Sequence, residues 1–306
     1  MLESLTVIVP VFNRGSFIEA SLLSILSQAP ELPILVIDNF STDNTSNVVL
    51  GLSKKHKNIH LIQNQINFGR IENFNEGLHH CKTEWATFLM AGDKYLPNWF
   101  DSISESVDSL PSNSLNEINL INAYSQNDTE FIGSNLIVSG KIFIHKLLSG
   151  QSTFLGPNNN IIRVSVAKRC GGFPVGFKYC FDWALFSFMS RYSNILLINK
   201  DLVQQDFEIP RVHTSGLAAR ACEPDILKPL LAHYFEASWP SRVEYRLIST
   251  IRFYGVLLKN IRTVFKSKDD RRLIVAHALR YHIISLFPSI VFFSVQKTVK
   301  IFSPLK

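Results

Sequence analysis

Four short apolar runs open the chain, at residues 5–11, 33–37, 59–62 and 85–90. Each is continuous rather than alternating, and each is rich in Ile, Val and Leu, as strands buried on both faces are. Between them lie segments with helical spacing at 17–26, 45–52 and 71–80. Strands alternating with helices predict a mostly parallel sheet with right-handed crossovers. That pattern constrains the fold more than any single residue does.

In open parallel sheets, ligands bind in the crevice beyond the carboxyl ends of the strands. All four runs end in groups suited to that crevice. The first is followed by Pro10-Val11-Phe12-Asn13-Arg14, and the second ends in Asp38-Asn39. The third leads into Asn67-Phe68-Gly69-Arg70, and the fourth into Gly92-Asp93. Taken singly, each has a plain structural reading. Asp43 and Asn44 suit a helix start, and Asn39 and Gly92 suit turns. Four consecutive strands leaving polar groups at one edge is more than a fold requires. No GxGxxG follows the first strand and no GxxxxGK[ST] occurs, which disfavours dinucleotide dehydrogenases and P-loop nucleotidases.

The 306 residues allow one large α/β domain plus an appendage. Hydrophobic residues at 46% against 18% charged specify a chain with a buried core. Cys81, Cys170, Cys180 and Cys222 are scattered without a CxxC pair and read as reduced thiols. The first residues show neither a basic stretch nor a cleavage signal, so no signal peptide is expected. The net charge of +6 is uneven: residues 242–306 hold 13 Lys/Arg against 3 Asp/Glu, and residues 1–241 hold 18 against 22. A main domain with that balance does not suit a nucleic-acid groove, and the basic tail suits an anionic surface.

In that tail, Tyr245, Leu247, Ile248, Ile251, Phe253 and Leu257 alternate with Arg246, Arg252, Lys259 and Arg262. The spacing predicts a basic amphipathic helix. A polar break at 266–270 precedes segments 273–281 and 283–295. The last has 13 uncharged residues interrupted by Pro288, short of the roughly 20 a membrane-spanning helix needs. It reads as lying in a membrane interface, with Lys297, Lys300 and Lys306 toward lipid headgroups, or else as part of a helical bundle on the main domain or a dimer.

Over residues 4–215 the chain resembles a family-2 glycosyltransferase of the GT-A fold. Residues 7–13 resemble the family's opening strand and turn, and residues 37–45, IDNFSTDNT, its VDDGSTDGT stretch. Asn67-Phe68-Gly69 through Asn75-Glu76-Gly77-Leu78 resembles NxG…NxGL. Residues 88–93 with Leu96-Pro97 resemble FLDxDDxxxP. No one of these is specific, but four in order are. The resemblance implies a GT-A domain over 1–215, with a nucleotide-binding half to about 97 and an acceptor half from about 98, then the basic tail from 216 to 306.

The resemblance further implies a nucleotide-sugar donor and a glycan or lipid-linked acceptor. It places Asp38 against the donor's base, with Asn39 as the near alternative, and Pro10, Phe12 and Asn13 around base and ribose. Asp43 falls where the family often has a further nucleoside-facing acid, or is a helix N-terminal charge. Arg70 is a diphosphate or sugar contact, or a solvated surface residue. Asn75 joins the donor-binding set. Leaving diphosphates are commonly neutralised by a divalent metal, Mg or Mn here. The family holds it between two closely spaced acids; this chain keeps only Asp93, with Lys94 next to it.

In the second half, Gly171-Gly172-Phe173 followed by Phe181-Asp182-Trp183-Ala184-Leu185 resembles GGF…[ED]DWDL, with Phe181 in place of the first acid. Asp182 is then the expected general base, against the alternative of a helix cap. Residues 211–215 resemble RxHxxS and make His213 a metal ligand or diphosphate contact, or an ordinary loop histidine. Residues 156–160 are expected to form an irregular loop on the acceptor side. The implied setting is lipopolysaccharide or surface-polysaccharide synthesis by an inverting enzyme, cytoplasmic and peripheral on the inner face of the cytoplasmic membrane. The alternatives are a non-catalytic nucleotide-sugar-binding subunit and a membrane scaffold. The sequence leaves room for an oligomer.

Overall fold

The computed structural model describes residues 4–123, 136–149, 156–175, 181–191 and 193–206. His213, Cys180, Cys222 and the basic tail lie outside the described residues. The four apolar runs become β1 (Leu5–Val11), β2 (Ile34–Asp38), β3 (Ile59–Gln63) and β4 (Trp85–Phe88). The helical spacings become α1 (Gly15–Leu26), α2 (Thr45–Lys55) and α3 (Arg70–His80). Then follow β5 (Lys94–Tyr95), α4 (Trp99–Asp108), β6 (Ile118–Ala123), β7 (Leu136–Ser139), α5 (Gly140–Ser149), β8 (Asn160–Arg163), α6 (Val164–Arg169), α7 (Phe181–Ser190), β9 (Asn194–Ile198) and β10 (Val203–Gln204).

Eight strands form one sheet in the order β3-β2-β1-β4-β8-β6-β9-β7. Six run in one direction; β8 opposes β4 and β6, and β7 opposes β9. This is the mostly parallel, helix-flanked sheet of the GT-A fold. β5 and β10 make a separate antiparallel pair. The chain proceeds from β1 outward to β2 and β3, then returns to place β4 on the other side of β1. The strand order therefore reverses between β1 and β4, and the crevice beyond their carboxyl ends is the place where such sheets take a ligand.

Both faces of β1, β2 and β4 are buried, as continuous apolar runs require. β3 departs from that expectation. It is an edge strand, paired on one side only, and of its five residues only Ile59 is buried. Leu5, Val7, Val9 and Val11 of β1 pack with Ile18, Leu22 and Ile25 of α1 and Trp99 and Ile103 of α4. Ile8 lies under α3, where a Cβ built on Gly77 would come 2.4 Å from its Cγ2. Glycine there lets α3 lie directly on the sheet. Ile71, Phe74 and Leu78, on one stripe of α3, are buried. Each such side chain contributes about 1.5–3 kcal/mol. The odd residue in a central strand is Pro10. Val11 O accepts from Asn39 N, so Pro10 faces the β4 side. Pairing to β4 has ended there, at Ile8↔Phe88, so the missing N–H leaves no gap in the ladder.

Candidate active site

The loops after β1 and β2 are fastened to each other through backbone groups. Asn13, at φ 51°, donates its N–H to Ser41 Oγ at 2.9 Å, and its Oδ1 accepts from Thr42 N at 2.8 Å. Arg14 N donates to Thr45 Oγ1 at 2.9 Å. Asp43 accepts from Gly15 N and from Thr45 N, each at 3.0 Å, and from the Thr45 hydroxyl. Desolvation raises its pKa, but the bonds from Thr45 and Gly15 outweigh it and leave the carboxyl below its ordinary value. Asp43 thus serves the first turns of α1 and α2 together. Of the two readings open in the sequence, its contacts are those of the helix-start charge.

Asp38, at the end of β2, is 1% exposed. It accepts from Ser41 N at 3.0 Å and from the Ser46 hydroxyl. Asn39 is fully engaged within the chain: Nδ2 donates to Asn67 Oδ1 and Gly69 O, and Oδ1 accepts from Asn64 Nδ2 and Phe68 N. Asn64 also donates to Asn73 Oδ1, and Asn73 donates to Ile37 O. Four asparagines therefore shape the β3–α3 loop, and Asp38 is left as the carboxylate of this corner. Phe12 is exposed beside Asn13.

Asn75 points across to the second half of the domain. Its Oδ1 accepts from Phe173 N at 2.7 Å and its Nδ2 donates to Phe173 O at 2.9 Å. It holds the Gly171-Gly172-Phe173 turn, where Gly172 sits at φ 72° and a Cβ would lie 2.5 Å from Asn75 Oδ1. Glycine is required there twice over. Phe173 meets Phe74, Phe88 and Phe181 at centroid separations of 5.4, 5.2 and 5.5 Å. This buried cluster explains the departure at Phe181, whose ring fills space between α3 and α7. The guanidinium of Arg70 lies 5.0 Å above that ring.

Asp182 occupies the first turn of α7, 6% exposed, with its Oδ1 accepting from Trp183 N at 2.9 Å. A carboxylate there is favoured by the helix dipole.

Asp93 is 3% exposed beyond β4. Gly92, at φ 109°, makes the turn, and Ser21 of α1 holds it by accepting from Gly92 N and donating to Asp93 O. The Asp93 carboxylate accepts from Asp206 N at 3.0 Å and from Asn158 Nδ2. Among the described residues, no three His, Cys, Asp or Glu side chains converge. Asn158 Oδ1, however, is buried without a hydrogen-bond partner. Carboxylate and amide oxygens are the donor types that Mg or Mn takes; here Asn158 turns its Nδ2, not its Oδ1, to Asp93.

Sequence reasoning passed over Asn158. It lies in the expected irregular loop, which is a 3-10 turn over Pro157–Asn159 leading straight into β8. The run of three asparagines before an apolar strand was its signal. Of the cysteines, Cys81 is buried and Cys170 half-buried, and neither is in a disulfide.

The fold is that of the GT-A glycosyltransferases, and these strand-end loops are its candidate site. Residues 6–165 match the sequence profile described as "Glycosyl transferase family 2", and the chain belongs to that family. An uncharacterized glycosyltransferase of Haemophilus influenzae is 35% identical over 99 residues, 32% of this chain and 31% of that protein. The GalNAc(5)-diNAcBac-PP-undecaprenol beta-1,3-glucosyltransferase of Campylobacter jejuni is 39% identical over 98 residues, 31% of each chain. The chain thus matches about a third of the length of these curated relatives. Among solved structures, Staphylococcus aureus TarS residues 1–349 superimposes with TM-score 0.64 at 16% identity, covering 94% of this chain and 82% of that one. The same protein with UDP-GlcNAc gives 0.57 at 14%, covering 92% and 91%. A mannosyltransferase from Pyrobaculum calidifontis with GDP-Man and Mn2+ gives 0.56 at 16%, covering 98% and 85%. At these identities the likeness is one of fold.

Proposed function

We propose that the protein transfers a sugar from a nucleoside-diphosphate sugar to an acceptor hydroxyl, with inversion, in bacterial surface-polysaccharide synthesis. The observation behind this reading is the pair of buried carboxylates, Asp38 and Asp93, at the carboxyl ends of β2 and β4 on either side of β1. Asp38 accepts the imide N–H of a uracil or thymine base. A divalent metal would be held by Asp93 and Asn158 together with the donor's diphosphate, with His213 as a candidate further ligand. Such a metal, when bound, would neutralise the charge that develops on the leaving diphosphate.

Asp182 takes the proton of the acceptor hydroxyl as its oxygen bonds to the anomeric carbon. The bond from that carbon to the phosphate oxygen breaks with its electron pair, and the nucleoside diphosphate departs. A single displacement of this kind inverts the anomeric centre. Arg70 stands at the first turn of α3 as a phosphate or sugar contact.

The acceptor we infer is lipid-linked, in keeping with the undecaprenol-linked substrate named for the Campylobacter relative, and lipopolysaccharide is the product class. The basic tail over 216–306 brings the domain over 1–215 to the inner face of the cytoplasmic membrane. The described residues contain no helix long and apolar enough to cross a membrane. A chain ending at residue 239 is then expected to lose binding to anionic vesicles that the full chain retains. Equal binding by both would remove the tail from the account.

The decisive experiment is calorimetric titration with UDP, dTDP and GDP, with and without Mg2+ or Mn2+. One nucleotide is expected to bind, metal is expected to tighten it, and Asp93→Asn is expected to abolish the metal effect. Absence of binding by all three would overturn the reading. A second reading, a nucleotide-sugar-binding subunit without catalysis, is favoured by the reduction of the acidic motif to one acid. Donor turnover that vanishes in Asp182→Asn excludes it.

A further inference from the structure

Phe40 follows Asp38 and Asn39 at the carboxyl end of β2, with φ 66°. Three other non-glycine residues among those described have positive φ, and all three are asparagines: Asn13, Asn98 and Asn113. Asparagine tolerates the left-handed region because its short polar side chain bonds locally; a bulky aromatic there is an outlier. The neighbours impose the conformation. Asn39 N is bonded to Val11 O and Ser41 N to Asp38 Oδ1, and Ser41 Oγ accepts from Asn13 N. None of those bonds needs a phenyl ring at position 40. Glycine would take the same backbone without strain, and the family stretch that residues 37–45 resemble has glycine at this place.

Packing does not repay the strain. Phe40 is 50% exposed and makes no ring–ring contact among the described residues. An unfavourable backbone retained without a structural return points to function. Two further exposed rings stand on the adjoining loops, Phe12 at 43% and Phe68 at 44%. Phe12 precedes Asn13, which is bonded to Ser41. Phe68 N is bonded to Asn39 Oδ1 at 3.0 Å. Three solvent-facing phenyl rings thus sit on three loops hydrogen-bonded to one another around Asp38.

We propose that Phe40 is a further binding residue of the donor site, stacking with Phe12 and Phe68 against the planar base of the nucleoside diphosphate whose edge Asp38 reads. The inference rests on the function proposed above and adds a residue to it. Every base has a π face, so the rings supply affinity and Asp38 supplies identity. The backbone strain at position 40 is then retained for ligand contact.

Two substitutions separate binding from folding. Phe40→Gly removes ring and strain together; Phe40→Ala removes the ring and keeps the strain. Calorimetry with whichever of UDP, dTDP and GDP binds the wild type should give about tenfold weaker binding in both variants. Pyrophosphate, which lacks a base, should bind all three proteins alike. Thermal unfolding should move the other way for glycine, with Tm rising by about 2–4 °C, while the alanine variant gains nothing comparable. Wild-type nucleotide affinity in both variants would overturn the proposal and leave the donor-site reading intact. An equal loss for nucleotide and pyrophosphate would also overturn it, since the ring would then be acting through loop shape. Absence of nucleotide binding by the wild type overturns both.

Discussion

Replacing Asn75 with alanine tests whether it is a donor contact or a brace. Asn75 satisfies both backbone groups of Phe173, at 2.7 and 2.9 Å, and Phe173 is 1% exposed. In Asn75→Ala, a buried N–H and a buried C=O lose their partners together. Each such loss costs about 1–3 kcal/mol, and partial entry of water into the vacated space favours the lower half, so the sum is about 2–4 kcal/mol. For a domain of this size that lowers Tm by roughly 5–15 °C. The turn it releases leads to α7 and Asp182, so kcat should fall about tenfold or more. Nucleotide affinity should change less than about threefold, because the loops after β1 and β2 are fastened independently of Asn75. Asn75→Asp should be no better: it keeps an acceptor for Phe173 N but sets an oxygen against Phe173 O. Circular dichroism melts, calorimetry and steady-state rates read the three quantities. A Tm within about 2 °C of wild type, with nucleotide binding weakened tenfold, would refute the brace and make Asn75 a donor contact.

Gly77→Ala should destabilise by about 1–3 kcal/mol, since the new methyl would lie 2.4 Å from Ile8 Cγ2; denaturant melts check this. Asp43 has a lowered pKa in the fold, so its stabilising effect is present above the ordinary value of 3.8 and is lost as pH falls through the lowered one. Asp43→Asn should therefore be less stable than wild type at neutral pH, with a shallower acid limb in Tm against pH. Burial pushes the Tyr95 hydroxyl, bonded to Thr87 Oγ1 at 3.0 Å, above its ordinary value of 10.0. Tyr95 keeps a proton that the unfolded chain gives up, so stability falls as pH rises through 10.0. Tyr95→Phe should flatten that alkaline limb while costing about 1–2 kcal/mol at neutral pH.

The sheet's first four strands were legible because burial on both faces writes itself as unbroken apolar runs. β3 misled on burial, since Ile59, Leu61 and Ile62 read like the neighbouring runs although His60 stands among them, and the strand order shows that this one is an edge. The places of Asp38 at the end of β2 and of Asp93 beyond β4 were legible, since they follow from where strands end. The hydrogen-bond partners of Asn39 and Asn75 were not. An asparagine that binds a ligand and one that binds its own backbone look alike in sequence, and only long-range partners, 98 residues apart for Asn75 and Phe173, separate them. The same holds for Phe181. Its substitution for an acid reads as a loss until Phe74, Phe88 and Phe173 are seen around it.

The reversed polarity of β8 has a consequence for how this site can vary. Thr87 pairs with Ile161 and Asn122 with Asn160, so β8 begins at the edge where its neighbours end. The contributions of the loops after β1, β2, β3 and β4 come from chain that has left a strand; Asn158 comes from chain about to enter one. A change in length upstream of Pro157 can therefore remodel what approaches Asp93 without shifting the register of β4, β8 or β6. The catalytic edge has one entrance that diversification can use while the scaffold stays fixed.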